Sequence, residues 1–393
     1  MKILIISQYF WPENFRINDL VLELKKNYVV EVLTTFPSYP NKKLFKHCNK
    51  NYKGIKVNRI LSFPRKNGKL SILANYLTFF ISLLFNLLLR KKYRRFDLIF
   101  IFQPSPITPV LAAGIFKKIY RKPIITWVLD YWPDTLFDLN TIKTKFLKSY
   151  LNKICKKIYL LSDLVFAQSI SMKNKIKSDI KNLNVKTLYS WSEDYFLKKK
   201  SLNKSTKKKF KIVFSGNIGD AQNLINLIEV IKFTQNNAKN IQWLFVGDGS
   251  KKKWLIKTIK NLNIKNIKFL DHRSINLIPN IYKYADAGLI SLKKGSTFKN
   301  TLPAKFQSYL AYGLPIFTFA SGEVLNLTKK YKLGIYCQPN KPKEFSSLII
   351  KFSKLPKKKI KYVIKNNQSV YKRNFSKKNA IKIINKEIKK LVK

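Results

Sequence analysis

Along the chain, short runs of continuously apolar residues alternate with stretches whose apolar positions recur every three or four residues. Residues 2–10, KILIISQYF, predict a strand, and Leu20, Val21 and Leu24 fall at helical spacing in a helix over residues 17–27. VVEVLTT (29–35) is the next strand, and the alternation continues through GIKVNRILSF (54–63), FDLIFIF (96–102), PIITWVLD (123–130), DLVFAQS (163–169) and VKTLYS (185–190). Strands that are apolar at every position are those of a parallel sheet covered on both faces. KKKSLNKSTKKKFK (198–211) has no apolar period and predicts a basic linker over 198–210. A second series follows: KIVFSG (211–216), IQWLFVG (241–247), IKFLDH (267–272), AGLISL (287–292), PIFTFA (315–320) and LGIYCQ (333–338), then basic helices to the end. The pattern predicts an α/β chain with two doubly wound parallel-sheet domains, residues 1–197 and 211–393.

One helix interrupts the alternation. Leu70–Leu89 is 20 residues without a charge, and Arg90, Lys91, Lys92, Arg94 and Arg95 follow it. It is long enough to cross a bilayer, but a single crossing would leave two halves of one sheet on opposite sides. Asn75, Thr78, Ser82 and Asn86 fall three and four apart as a polar stripe. A helix lying on a membrane surface with a basic flank, over about residues 70–92, is the expectation, with a buried crossover helix as the alternative.

Composition changes the picture mainly through charge. The 393 residues carry 78 Lys and Arg against 20 Asp and Glu, a net charge of +58. These cations are spread along the whole chain, as codon composition would spread them, since Asn, Ile, Phe and Tyr are abundant too. Attraction to anionic lipid ranks second, and nucleic-acid binding, which calls for a basic arm or face, ranks last. Met1-Lys2 runs straight into the first strand without a signal-peptide pattern, and Cys48, Cys155 and Cys337 are too few and too far apart for a disulfide framework or a zinc site. Cytosolic exposure is expected.

Candidate chemistry clusters in the second half. Ser215-Gly216-Asn217-Ile218-Gly219 follows a strand and precedes a helix near Gln222, and Gly247-Asp248-Gly249-Ser250 repeats the arrangement. Such turns bring backbone N–H groups close to an anion. Between the strands 288–292 and 315–320, Pro303 opens a helix with Lys305 in its first turn, a place that suits a bound diphosphate. An ordinary crossover with a chance lysine is the alternative. In the first half, the loop after the opening strand carries Glu13, Asn14 and Arg16 but no GxGxxG, so a nicotinamide or flavin role has no support. Arg16 either meets a phosphate or is a solvated loop arginine. Asp130, at a strand end, either orients an acceptor or caps the helix after Trp132-Pro133.

Taken together, SQYFWPENFRINDL (7–20), SGNIGDAQNL (215–224), VGDGS (246–250) and LPAKFQSYLAYGLPI (302–316) resemble family 4 glycosyltransferases of the GT-B fold. WVLDYWPDTL (127–136) is similar to the Asp-Leu-Trp-Pro segment of the branch containing the fucosamine transferases of O-antigen and capsule assembly. The resemblance implies two Rossmann-like domains facing a central cleft, acceptor bound by the first and donor by the second. It implies retaining transfer, without metal or cofactor, of a sugar such as an N-acetylated deoxyhexosamine. The donor would be a UDP-type nucleotide sugar and the acceptor a polyprenyl-diphosphate-linked saccharide, on the inner face of the plasma membrane. Lys305, Asp130 and Gln222 would be catalytic. Ser215, Gly216, Asn217, Ile218, Gly219, Gly247, Gly249, Arg273, Pro303, Ala304 and Ser308 would contact the donor, and Asn14, Phe15, Arg16 and Asn18 the acceptor. Ser308 and Ala304 depart from the family, which has glutamate and serine there. A degenerate transferase acting as a nucleotide-sugar-binding scaffold is the second reading, and a nucleic-acid-binding protein the third.

Overall fold

In the computed structural model, residues 1–37, 49–64, 68–138, 144–197 and 209–392 are described. Cys48 and linker residues 198–208 lie outside them. The chain divides into two units, Met1–Tyr189 with Ala380–Lys393, and Ser190–Asn379.

The first unit runs β1 (Lys2–Ser7), α1 (Arg16–Leu24), β2 (Val29–Thr35), β3 (Asn51–Tyr52), β4 (Ile55–Ile60), α2 (Lys69–Leu89), β5 (Leu98–Gln103), α3 (Thr108–Tyr120), β6 (Ile124–Val128), α4 (Asp134–Asp138), α5 (Lys145–Tyr159), β7 (Leu164–Ala167), α6 (Ile170–Asp179) and β8 (Val185–Thr187). The sheet order is β3-β4-β2-β1-β5-β6-β7-β8, parallel throughout except for the β3–β4 hairpin, which the apolar pattern does not announce. Ile3 to Ile6 are fully buried, as strands covered on both faces require. From β4 to β7 the chain always steps the same way across the sheet, so right-handed crossovers put α2, α3 and α5 on one face. There α2 packs on α3, and α3 on α5.

The long apolar helix α2 shows its surroundings by its two rows. Asn75, Phe79, Leu83 and Leu87 are buried against the unit. Leu70, Leu73, Leu77, Ile81, Phe85 and Leu89 point outward, from 48% exposed at Ile81 to 83% at Leu70. The polar stripe does not form the outer face. Asn75 accepts from Gln8 Nε2 (2.7 Å) and donates to the Phe63 carbonyl, Thr78 Oγ1 accepts from Phe63 N (2.8 Å), and Asn86 donates to Ser82 O (2.8 Å). These polar groups bond the helix and its adjoining loop, leaving the outer row apolar. A wholly buried crossover helix is excluded by that row.

The second unit runs β9 (Phe210–Ser215), α7 (Leu224–Asn237), β10 (Ile241–Val246), α8 (Lys252–Asn261), β11 (Ile267–Leu270), α9 (Ile278–Tyr282), β12 (Ala287–Ser291), α10 (Ser296–Asn300), α11 (Ala304–Tyr312), β13 (Ile316–Phe319), α12 (Glu323–Lys330), β14 (Gly334–Cys337), α13 (Pro342–Ser353) and α14 (Lys357–Val370). All six strands are parallel, in the order β11-β10-β9-β12-β13-β14. The order reverses direction between β9 and β12, the place where a doubly wound sheet opens a ligand crevice at its carboxyl edge.

The final helix, α15 (Lys377–Leu391), corrects the boundary expected at residue 393. From Ala380 onward it belongs to the first unit, with Ile384 and Ile388 fully buried and Glu387 Oε2 paired to Lys186 Nζ at 2.6 Å. A surface helix reveals its buried stripe by its period, but not the domain that covers it.

Candidate active site

Register brings the predicted loops of the second unit together. Ser215 on β9 pairs with Val246 on β10, so the glycine turns that follow leave the sheet side by side. They interlock: Gly216 N donates to Val246 O (2.9 Å) and Ile218 N to Asp248 O (2.8 Å). Gly247 (φ +141°) and Gly249 (φ +154°) are glycines because of this contact. A Cβ on Gly247 would lie 2.0 Å from Gly216 O, and one on Gly249 2.4 Å from Ile218 O. The close contact between the turns by itself requires glycine at both positions. Gly219 N is also engaged, donating to Gln222 Oε1 at 3.0 Å.

On the other side of β9 stands α11, with Pro303 as its N-cap and Lys305 in its first turn. The Lys305 ammonium lies 3.5 Å from the centroid of the Phe214 ring, and its Nζ is 3.6 Å from where a Gly216 Cβ would be. Phe214 is in turn stacked on Phe245, centroids 5.1 Å apart. Among the described residues Lys305 has no hydrogen bond or ion pair. Burial pulls its pKa down from 10.5 to about 7. Lys305 thus stands on an aromatic floor where burial disfavours its charged form.

Residues 196–370 match the family of glycosyl transferases group 1. The match lies within the second unit. The chain is 24% identical to the putative colanic acid biosynthesis glycosyl transferase WcaI of Escherichia coli (strain K12), over 80% of this chain and 82% of that one. Among solved structures it is similar to Anabaena HepE in complex with UDP, with a TM-score of 0.72, 16% identity and coverage of 99% and 100% of the two chains. It is also similar to sucrose-phosphate synthase from Thermosynechococcus elongatus, with a TM-score of 0.77, 11% identity and coverage of 99% and 98%. The fold is GT-B, and the family match with the glycosyl transferase relative makes this a hexosyltransferase-type enzyme.

Within the second unit the other candidates have unequal standing. Gln222 is buried in the same turn as Gly219, and Ser291 Oγ donates to its backbone carbonyl at 2.8 Å, tying the turn to β12. Ser215 is a brace: its Oγ lies 2.6 Å from Tyr282 OH, and its N donates to Tyr309 OH (3.3 Å). Burial pushes the Tyr309 phenol up to about 12, so the pair stays neutral. Asn217 reaches toward Gly249, where its Oδ1 would be 2.5 Å from an added Cβ. Ala304 is exposed at the helix start. Ser308 is buried, donating to Ala304 O (3.2 Å) and accepting from Ser192 Oγ (3.4 Å). Arg273 is exposed after β11, and no hydrogen bond or ion pair ties it to the turns among the described residues.

In the first unit, Asn18 proves to be a structural residue. Its Oδ1 accepts from Trp11 N (3.1 Å) and its Nδ2 donates to Glu13 O (2.6 Å), so its amide holds the loop after β1. Phe15 stacks on Tyr9 with centroids 5.0 Å apart, Arg16 is the first residue of α1, and Asn14 is exposed. Asp130 follows β6, and its carbonyl accepts from Gln103 Nε2 (3.1 Å). The next helix begins four residues later at Asp134. Phe214 went unnoticed in the sequence, because an aromatic inside an apolar strand reads as core.

Proposed function

We propose that this glycosyltransferase moves a sugar, with retention, from a UDP-type nucleotide sugar to a lipid-linked saccharide in cell-surface polysaccharide assembly. The observation that carries the proposal is the unpaired Lys305 ammonium beside the interlocked glycine turns. A diphosphate seated there would restore the charge that burial suppresses, and charge developing on the leaving diphosphate would be met by a cation already in place. Gln222 and Asn217 would add neutral polar contacts, and Asp130 would orient the acceptor. The UDP in Anabaena HepE supports the nucleotide, and the colanic acid role named for the Escherichia coli relative supports a polysaccharide product. The resemblance to the fucosamine branch supports an N-acetylated deoxyhexosamine as the sugar. A thermal-shift screen with UDP-, GDP- and dTDP-sugars tests the donor. A UDP-sugar should raise the melting temperature with saturation, since binding to the native state alone stabilises it. Failure of every UDP compound where a GDP or dTDP sugar succeeds would remove the donor assignment.

We further propose that the enzyme docks on the inner face of the plasma membrane through the outer row of α2. Six apolar side chains spaced along one exposed helix face, followed by Arg90 to Arg95, suit an interface between water and lipid. Leu77→Asp with Ile81→Asp should leave the melting temperature nearly unchanged, because both side chains are outside the core, and should shift the protein from the membrane to the soluble fraction of lysed cells. Unchanged sedimentation with membranes would remove α2 from the docking surface.

A further inference from the structure

On the α2–α3–α5 face of the first unit, a cavity of about 350 Å³ is lined by Gly114, Lys117, Lys118, Arg121, Leu160 and Leu161. It lies where α3 and α5 reach their C-terminal ends, just before β6 and β7. We infer that it is a binding site for the phosphate headgroup of an anionic glycerophospholipid, an inference that rests on the membrane-docking reading of α2.

The charges of the cavity do not balance. Lys117 is accounted for by the fold: its Nζ donates to Asp163 Oδ1 (2.7 Å) and to Leu161 O (3.1 Å). Asp163 also accepts from Ile124 N at 2.7 Å through its other oxygen, so both carboxylate oxygens are engaged. Lys118 and Arg121 are exposed, and neither forms an ion pair among the described residues. Two cations therefore face the cavity without an anion. Helix C-termini favour cations in general, but each gains only about 0.3–1 kcal/mol from the dipole, which does not account for a cavity between them. The floor is built closely: Gly114 has no side chain because a Cβ there would lie 2.3 Å from Leu161 Cδ1.

Two further observations select a lipid over a free phosphate. The rim is apolar where water would be expected, with Leu160 49% exposed and Ile119, beside Lys118, 57% exposed. The basic segment that ends α2 also reaches this rim, since the Arg94 guanidinium lies over the Tyr120 ring at 4.9 Å, one residue before Arg121. The apolar outer row of α2 thus runs into the same basic edge. A soluble phosphate needs no apolar rim. A phospholipid whose chains lie in the layer that α2 enters brings headgroup and apolar contact together.

The test uses the purified full chain and vesicles of phosphatidylcholine, with and without phosphatidylglycerol. Lys118→Gln with Arg121→Gln should weaken binding to phosphatidylglycerol vesicles about 30-fold, which at 1.4 kcal/mol per decade is about 2 kcal/mol. Binding to phosphatidylcholine alone should be unaffected. Lys357→Gln with Lys358→Gln removes the same charge from exposed positions on α14, and should lose far less. Equal losses in the two double variants would reduce the effect to net charge and overturn the headgroup site. A melting-temperature rise with sn-glycerol phosphate, abolished in the Lys118/Arg121 variant while lipid binding is kept, would reassign the cavity to a free phosphate. Displacement of wild type from the vesicles by duplex DNA, lost in the same variant, would reassign it to nucleic acid. If the Leu77/Ile81 variant alone abolishes all vesicle binding while the Lys118/Arg121 variant changes nothing, docking stands and the headgroup site falls. No binding to either vesicle removes both.

Discussion

Lys305→Ala is expected to lower sugar transfer by on the order of 10²-fold or more, with the fold intact, as removal of a preorganised charge stabiliser does. Its side chain packs on Phe214 and beside Gly216, so the change leaves a gap at the mouth of the turns but breaks no hydrogen bond or ion pair among the described residues. Lys305→Met, which keeps the stem and removes the charge, separates the two effects. Its sign on stability follows from burial. The folded pKa, about 7, lies below the ordinary lysine value of 10.5. Below about pH 7 both states carry the proton, and the folded state bears the whole penalty of a desolvated cation. Between about 7 and 10.5 the unfolded chain holds a proton the folded chain has released, so the penalty shrinks and stability rises with pH. Lys305→Met should therefore melt above wild type near neutral pH and lose that advantage in alkali, while transfer stays depressed throughout. Donor binding should run the other way. At pH 8 the free enzyme holds Lys305 largely neutral and a bound diphosphate would recharge it, so calorimetry in buffers of different ionisation enthalpy should show proton uptake by wild type and none by Lys305→Met. Wild-type turnover in a well-folded Lys305→Ala would take this lysine out of the site.

What could be read in advance divides by the range of the interaction. Strand positions follow from local apolar runs, and the strands KIVFSG and IQWLFVG were legible together with the turns after them. Pairing of Ser215 with Val246 is not written locally, yet once both strands enter one parallel sheet it sets the two turns side by side. Lys305 could be placed by its helix start, because a proline and a C-terminal glycine stop bound a nine-residue helix. Its state could not. The aromatic floor, the lack of a carboxylate and the lowered pKa depend on Phe214, which the strand pattern treats as one more core residue. Asn18 misled for the opposite reason: a polar residue early in a helix looks available, and only the fold shows both ends of its amide bonded to Trp11 and Glu13. On α2 the polar spacing was real, but the loop at Phe63 takes up Asn75 and Thr78 and turns the apolar row outward. Partners far along the chain decide which face a periodic helix buries.

The interlocked turns supply the other large expected effect. Gly247→Ala puts a Cβ 2.0 Å from Gly216 O and 2.9 Å from Gly216 C, both backbone atoms that no side-chain rotation can move away. It also asks alanine to hold φ +141°. A residue in such a sparsely populated region costs about 1–3 kcal/mol, and forced overpacking adds about 1–3 more, so a loss of about 2–6 kcal/mol is expected. The turns must part, and with them go the bonds from Gly216 N to Val246 O and from Ile218 N to Asp248 O. Because Lys305 Nζ rests beside Gly216, the displacement also disturbs the backbone next to the lysine, and UDP affinity should fall with stability. Gly68→Ala is the control, having φ +106° but no atom within 4 Å of its added Cβ among the described residues. It carries the backbone strain without the collision and lies in the first unit. Gly68→Ala should lower the melting temperature modestly and leave UDP binding unchanged, whereas Gly247→Ala should lower both. Equal losses of stability in the two variants, with UDP binding intact in each, would mean that backbone strain alone explains Gly247 and that the contact between the turns does not shape the donor site.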